Sequence, residues 1–100
     1  MTMATLSFTK DGGVWVAEAT VNKDYCIHVE RVSGGRFSIY QRSTSSGQYT
    51  ACFPIPEQIG YHGGQVIDFT FGHGVYPSGG IHLRFESGSE VTMAEINEGA

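Results

Sequence analysis

The stretch ATLSFTKDGGVWVAEATV, residues 4–21, decides the fold class, because apolar and polar side chains alternate on both sides of a glycine turn. Leu6 and Phe8 share one face of the segment before the turn. A period of two indicates a β-strand with one buried face. A two-residue Asp11-Gly12 turn sets Phe8 opposite Trp15, another apolar residue. The stretch therefore predicts an antiparallel hairpin.

The same alternation continues along the chain, and no segment shows the 3.6-residue period of an amphipathic helix. Short loops, most of which contain glycine, separate the predicted strands. The lengths of these loops keep apolar residues opposite one another if each loop closes a hairpin. The expected pairs include Val21 with Tyr25, Val29 with Ile39, Ile39 with Phe53, Gln41 with Ala51, Phe85 with Val91 and Leu83 with Met93.

These elements predict an all-β fold of about eight short strands, in which a five-strand meander precedes three further strands. Prolines at 54 and 56 end the strand pairing, so residues 54–64 are expected to cross to a second layer. We expect a single-domain antiparallel β-sandwich, jelly-roll-like or a partly open barrel, with residues 1–3 and 97–100 frayed. The two long loops favour the sandwich.

Composition narrows the possible partners. The chain has 100 residues, 16% of them charged, and a formal net charge of −4. Acidic and basic residues are interspersed, and the basic stripe that is typical of nucleic-acid binding is absent. No apolar run approaches the roughly 20 residues that span a bilayer, and the first eight residues lack the basic region and long apolar region typical of a signal peptide. The sequence predicts a cytoplasmic protein or one assembled into a particle, with no membrane partner.

No cofactor, metal or catalytic signature emerges. The four histidines are too widely spaced for the ligand pairs of zinc sites, and the glycine-rich run after residue 72 lacks the dinucleotide-binding pattern. Cys26 and Cys52 are expected on strands that flank a third one, two strand spacings of about 4.8 Å apart. That separation exceeds disulfide reach, so free thiols are predicted. We expect a protein that is not an enzyme.

Two long loops, 54–64 and 72–80, suggest one possible function. They carry Tyr61, His62, His73 and Tyr76. Exposed aromatic rings with polar neighbours are typical of β-sandwiches that bind carbohydrate. A carbohydrate- or small-ligand-binding module is therefore one hypothesis, and packing of the two tyrosines onto the core is the structural alternative.

The outer face of the predicted meander suggests a different function. It is poor in lysine and carries His28, Arg36, Tyr40 and Arg42, and interfaces show the same enrichment in arginine and aromatic residues. The preferred interpretation is a non-enzymatic structural module that works by protein–protein contact. We expect it to self-associate as part of a larger assembly, for example as a virion or appendage accessory protein.

Overall fold

The computed structural model describes residues 2–33, 36–44, 46–51, 66–71 and 76–99. All regular secondary structure in these residues is β-strand. The strands are β1 (Thr2–Thr5), β2 (Thr9–Asp11), β3 (Val14–Val21), β4 (Tyr25–Arg31), β5 (Phe37–Arg42), β6 (Thr50–Ala51), β7 (Val66–Phe71), β8 (Ile81–Ser87) and β9 (Val91–Glu98).

The strands form two antiparallel sheets. One sheet has four strands in the order β1-β9-β4-β7, and the other has five in the order β2-β3-β8-β5-β6. The prediction of an all-β antiparallel sandwich is confirmed. The strand order is that of a jelly roll to which β2 is added at one edge, because most successive strands alternate between the sheets.

The predicted five-strand meander is wrong. Strand β4 lies in a different sheet from both β3 and β5, and β8 lies in a different sheet from β9. The expected pairs of Val21 with Tyr25 and Phe85 with Val91 therefore do not form. A short connection can close a hairpin or cross to the opposite sheet, and in both cases the same residues of each strand face the core. The turn sequences consequently could not tell these two outcomes apart.

Two of the predicted hairpins are present with altered register. Strands β2 and β3 pair Asp11 with Val14, so the turn residues are Gly12 and Gly13 instead of Asp11 and Gly12. Gly12 has a φ of +66°, which glycine adopts without steric cost. Strands β5 and β6 pair Gln41 with Thr50, one residue away from the expected Ala51.

The N-terminal strand also differs from its prediction. The expected strand over residues 4–9 divides into β1 and β2, which belong to different sheets. Thr2 and Met3, expected to fray, pair with Glu98 and Asn97 at the other terminus. The chain crosses the side of the sandwich between β1 and β2, and Leu6 N–H donates to the Ala94 carbonyl at 2.9 Å on the way.

The core lies between the two sheets. Strands β4 and β8 alternate strictly between buried and half-buried residues, as a period of two predicts. Burying each large apolar side chain contributes roughly 1.5–3 kcal/mol. The largest buried apolar side chains are Tyr25, Phe37, Phe85, Ile27, Ile39, Leu83, Val21 and Val29.

The end of β4 places a charged residue in this core. Arg31 is buried, and its Nη1 donates to the Arg36 carbonyl and to Ser87 Oγ, at 3.4 Å each. Its guanidinium lies 5.8 Å from the centroid of the Phe37 ring. Desolvation lowers the pKa of Arg31. Only the position of Arg31 in the alternation of β4 indicated that it would be buried.

Strand β9 shows a change of phase that the sequence does not predict. Arg31 pairs with Val91 but Glu30 pairs with Met93, so the register with β4 shifts at this point. Met93, expected to pack inward opposite Leu83, is exposed, while Ala94 is buried. A bulge inserts one residue and therefore reverses the faces of the strand beyond it.

Candidate functional site

The four predicted interface residues are divided between the two sheets. His28 lies on β4 and faces outward from the four-stranded sheet, whereas Tyr40 and Arg42 lie on β5 in the five-stranded sheet. Arg36 immediately precedes β5. The prediction of one shared surface is wrong for His28, because the chain crosses the sandwich between β4 and β5.

The remaining three residues belong to a surface that we call the five-stranded face. It consists of the outward side chains of β3, β5 and β8 together with Asp11, Arg36 and Tyr49. Cross-strand pairing aligns Glu18 with Arg84 and Arg84 with Tyr40. The outward residues of the three strands are Val14, Val16, Glu18, Thr20, Ser38, Tyr40, Arg42, His82, Arg84 and Glu86.

One half of the five-stranded face is basic and aromatic. The Arg42 guanidinium lies 4.2 Å from the centroid of the Tyr49 ring, and its Nη1 donates to the Gly47 carbonyl at 3.3 Å. Tyr40 is half-buried beside it. Arg36 is exposed, and its guanidinium makes no hydrogen bond or ion pair with any residue in the described ranges.

A shallow cavity of about 210 Å³ opens beside Arg36, where β5 borders β8. Arg36 and Tyr40 line it together, so the structure brings two of the predicted residues to one place. The cavity is below the usual 300–1,000 Å³ of small-molecule pockets, and its size suits a single inserted side chain. Its other lining residues are Val14, Ser38, Glu86, Ser87 and Gly88.

The other half of the five-stranded face is acidic. Three carboxylates surround one guanidinium: Arg84 Nε donates to Glu86 at 2.9 Å, Nη1 donates to Glu18 at 3.4 Å, and Nη2 lies 3.9 Å from Asp11. The hydrogen bond to Glu86 is the main cause of the raised pKa of Arg84. This cluster was not predicted from the sequence. Only the Arg84-x-Glu86 spacing on one strand face signalled it, because Glu18 arrives through long-range pairing.

His28 is the centre of a separate cluster on the four-stranded sheet. Its Nδ1 lies 2.6 Å from Asp68 Oδ1 on β7, and its Nε2 lies 2.9 Å from Glu30 Oε2 on β4. Glu95 of β9 is its ladder partner on the other side. Both ring nitrogens can donate only when the imidazole is protonated. Hydrogen bonds to Glu30 and then to Asp68 raise the pKa of His28, against a smaller opposing effect of burial.

We expect the His28 cluster to make stability depend on pH near neutrality. The stabilisation from a raised pKa is complete below the ordinary value of 6.5 and is lost as pH rises through the folded-state value. The His28 side chain is 26% exposed and its partners more so, which limits the effect to about 1 kcal/mol or less.

The measurement compares the free energy of unfolding of the wild type and His28→Gln from about pH 5 to pH 8.5, the window that brackets the histidine titration. The wild type should have its greatest advantage at the acidic end and lose it towards the alkaline end. Asp68→Asn should reduce the slope while leaving His28 in place. A difference between wild type and His28→Gln that does not vary with pH would contradict the assignment.

The loop candidates fall mostly outside the residues that the structure describes. Tyr61, His62 and His73 all lie in such segments. Tyr76 is half-buried, packs against the core, and donates its hydroxyl hydrogen to Asp24 Oδ1 at 3.1 Å. This geometry matches the structural alternative for Tyr76. Carbohydrate binding stays a prediction.

Of the two cysteines predicted to be free thiols, the structure describes one. Cys26 is a free, half-buried cysteine whose Sγ lies 3.2 Å from Thr70 Oγ1. Cys52 is outside the described residues. In the described part of the chain, no three His, Cys, Asp or Glu side chains are grouped so as to hold a metal ion.

Comparison with known proteins identifies no relative of this chain. No protein-family model, no curated protein and no solved structure matches it. Within the described ranges, no helix has the length and apolar character needed to cross a membrane. Because one β-sandwich topology hosts many unrelated functions, function must be argued from the surfaces described above.

Proposed function

We propose that this protein is a non-enzymatic structural module that associates with a second copy of itself through the five-stranded face. The observation that carries the proposal is the separation of charge across that face. Arg36 and Arg42 lie on the side of β5. Asp11 and Glu18 lie on the side of β2 and β3, and Arg84 and Glu86 lie between the two sides on β8. Assembly of several copies into a larger particle would need a second, different contact, because a two-fold interface closes on itself.

The composition of the face supports this proposal. The outward positions of β3, β5 and β8 contain arginine and tyrosine but no lysine. Interfaces are enriched in arginine and tyrosine and depleted in lysine. The stacking of Arg42 on Tyr49 holds both side chains in place, so little side-chain entropy remains to be lost there when a partner binds.

Two-fold symmetry would bring the oppositely charged parts of the face together. In a two-fold dimer each copy presents the same surface, and a patch on one copy meets a different patch on the other. A face with a basic half and an acidic half is complementary to itself when rotated by 180°. The most exposed carboxylate, on Asp11 at 74%, would then face Arg36 of the second copy across the cavity.

Charge exchange tests this arrangement. Asp11→Lys and Arg36→Glu should each weaken self-association about tenfold or more, because each places like charges together twice in a two-fold dimer. An equimolar mixture of the two variants should recover a heterodimer, in which one altered pair is again opposite in charge and the other is native. Sedimentation velocity at high micromolar concentration measures all three species.

Lys23→Glu is the matched control, since Lys23 is exposed in the loop after β3 and lies outside the five-stranded face. It should leave self-association unchanged. A wild type that is strictly monomeric at high micromolar concentration would overturn the proposal. So would equal weakening by all three variants, which would indicate a general charge effect.

A further inference from the structure

Among the residues that the structure describes, two strand edges on one side of the jelly roll have no neighbouring strand. Strand β2 pairs with only the first three residues of β3, from Val14 to Val16. The next five residues of β3, with the sequence AEATV, pair with β8 on one side and with none of the described strands on the other. Strand β1 is likewise an edge of its own sheet. The chain crosses between the sheets from β1 to β2, and no strand in the described ranges covers either edge beyond this crossing.

In residues 17–21 of β3, alternate residues direct their backbone N–H and C=O groups towards the edge of the sheet that β2 does not cover. Asp11 and Val14 flank a two-residue turn, so they form a hydrogen-bonded pair, and every second residue of β3 then faces the same side. Val16 satisfies its groups against β2, whereas Glu18 and Thr20 have no strand there among the residues described. The segment contains no proline, lysine or bulge, and of the usual protections of an edge it has only the charge of Glu18.

A groove of about 280 Å³ lies between these two edges. Small residues, Ala4 on β1 and Ala19 on β3, leave it open, and Leu6 and Ile96 give it an apolar floor. Glu18, 58% exposed and paired with Arg84, lines it on the side of β3. Glu98 lines it on the side of β9, where its carboxylate accepts a hydrogen bond from the Asn22 N–H. The groove is too small for a typical drug-sized ligand but can take the side chains of an extended segment.

We infer that this groove binds an extended peptide segment of a partner protein, which adds as a strand to residues 17–21 of β3. Main-chain hydrogen bonds to Glu18 and Thr20 provide affinity, as in other cases of β-strand addition. Alternate small apolar side chains of the peptide enter the groove. Basic side chains on its other face meet Glu18, so the partner segment alternates apolar and basic residues. This site shares Glu18 with the five-stranded face, but it uses the edge of β3, whereas the proposed self-association uses the face of the sheet.

The experiment uses two synthetic peptides and amide NMR of the intact protein. The basic probe is acetyl-Arg-Val-Thr-Val-Arg-Thr-amide, and the acidic probe has glutamate in place of each arginine. The basic probe should shift the Glu18 and Thr20 amides with a Kd on the order of 1 mM, since a short flexible peptide loses entropy on binding. The acidic probe should cause no comparable shift.

Two variants locate the binding. Thr20→Pro removes the N–H that residue 20 directs towards the edge of the sheet, at a position where proline is tolerated. Thr20→Val is the matched control, because both variants lose the hydroxyl contact with His82. Binding should be lost in Thr20→Pro and kept in Thr20→Val. Ala4→Phe, which leaves β3 untouched and fills the groove from β1, should also abolish it.

Three results would overturn the inference. The first is equal binding of the basic probe to Thr20→Pro and wild type, and the second is no amide shift at about 10 mM probe, tenfold above the expected Kd. The third is slow hydrogen exchange at Glu18 and Thr20 in the free protein. Protection that rises with protein concentration would assign the edge to a second copy, and protection independent of concentration would assign it to the chain itself.

Discussion

Phe85→Ala is expected to lower the free energy of unfolding by about 3–5 kcal/mol, the largest effect of any single truncation proposed for this protein. Phe85 is fully buried at the middle of β8, which pairs with β3 on one side and β5 on the other. Its ring stacks on Phe37 with centroids 6.3 Å apart. Truncation removes these contacts and leaves a cavity that the surrounding strands can fill only partly.

Urea unfolding measures the effect, with Val32→Ala as the control. Val32 is a comparably apolar residue but is 56% exposed, so its truncation should change stability by less than about 0.5 kcal/mol. Domains of this kind are stable by only about 5–15 kcal/mol, so Phe85→Ala can leave the chain unfolded. Phe85→Leu then provides an intermediate value, expected at about 1.5 kcal/mol. A loss below about 1 kcal/mol in Phe85→Ala would contradict the central position of this ring.

Gly80→Ala is expected to cost about 2–4 kcal/mol, for two separate reasons. Gly80 has a φ of +85°, a conformation that costs an L-residue about 1–2 kcal/mol. An added Cβ would also lie 2.7 Å from the Val21 carbonyl oxygen and 2.8 Å from Asn22 Oδ1. The carbonyl belongs to the backbone, so the start of β8 or the end of β3 must move.

Gly79→Ala separates the two contributions. Gly79 has nearly the same φ, +87°, but an added Cβ there would meet nothing within 4 Å. It should therefore lose only the conformational part, about 1–2 kcal/mol. Thermal and urea unfolding of both variants give the comparison. Equal losses in the two variants would show that the close approach of Gly80 to β3 has no energetic consequence.

The two proposed surfaces make different use of one strand. Side chains of β3 face outward into the five-stranded face, while its unpaired backbone groups face sideways into the groove. Self-association depends on side-chain charge and should weaken as salt rises, because exposed charges are screened. Strand addition depends mainly on the backbone. Asp11→Lys should therefore impair self-association and leave the response of Thr20 to the basic peptide in place.

The sequence by itself determined which residues of most strands face inward. Ile27, Val29, Ile39 and Phe85 are buried as their alternation predicts, because side-chain direction along a strand depends only on local backbone geometry. Met93 is an exception, because it follows a bulge in β9 at which Thr92 is the extra residue between the partners of Arg31 and Glu30. Local pattern also placed the hairpin at Gly12, although not its register.

Only the tertiary structure decided which strands pair. A strand with one apolar face can bury that face equally well when it pairs with the preceding strand in a hairpin and when it lies in the opposite sheet. The alternation of apolar residues therefore does not distinguish the two arrangements. That choice separated His28 from Arg36, Tyr40 and Arg42, and it joined Glu18 and Arg84 from distant parts of the chain. The residues 4–21 that indicated a β-protein also supply its open edge, because β2 covers only the first three residues of β3.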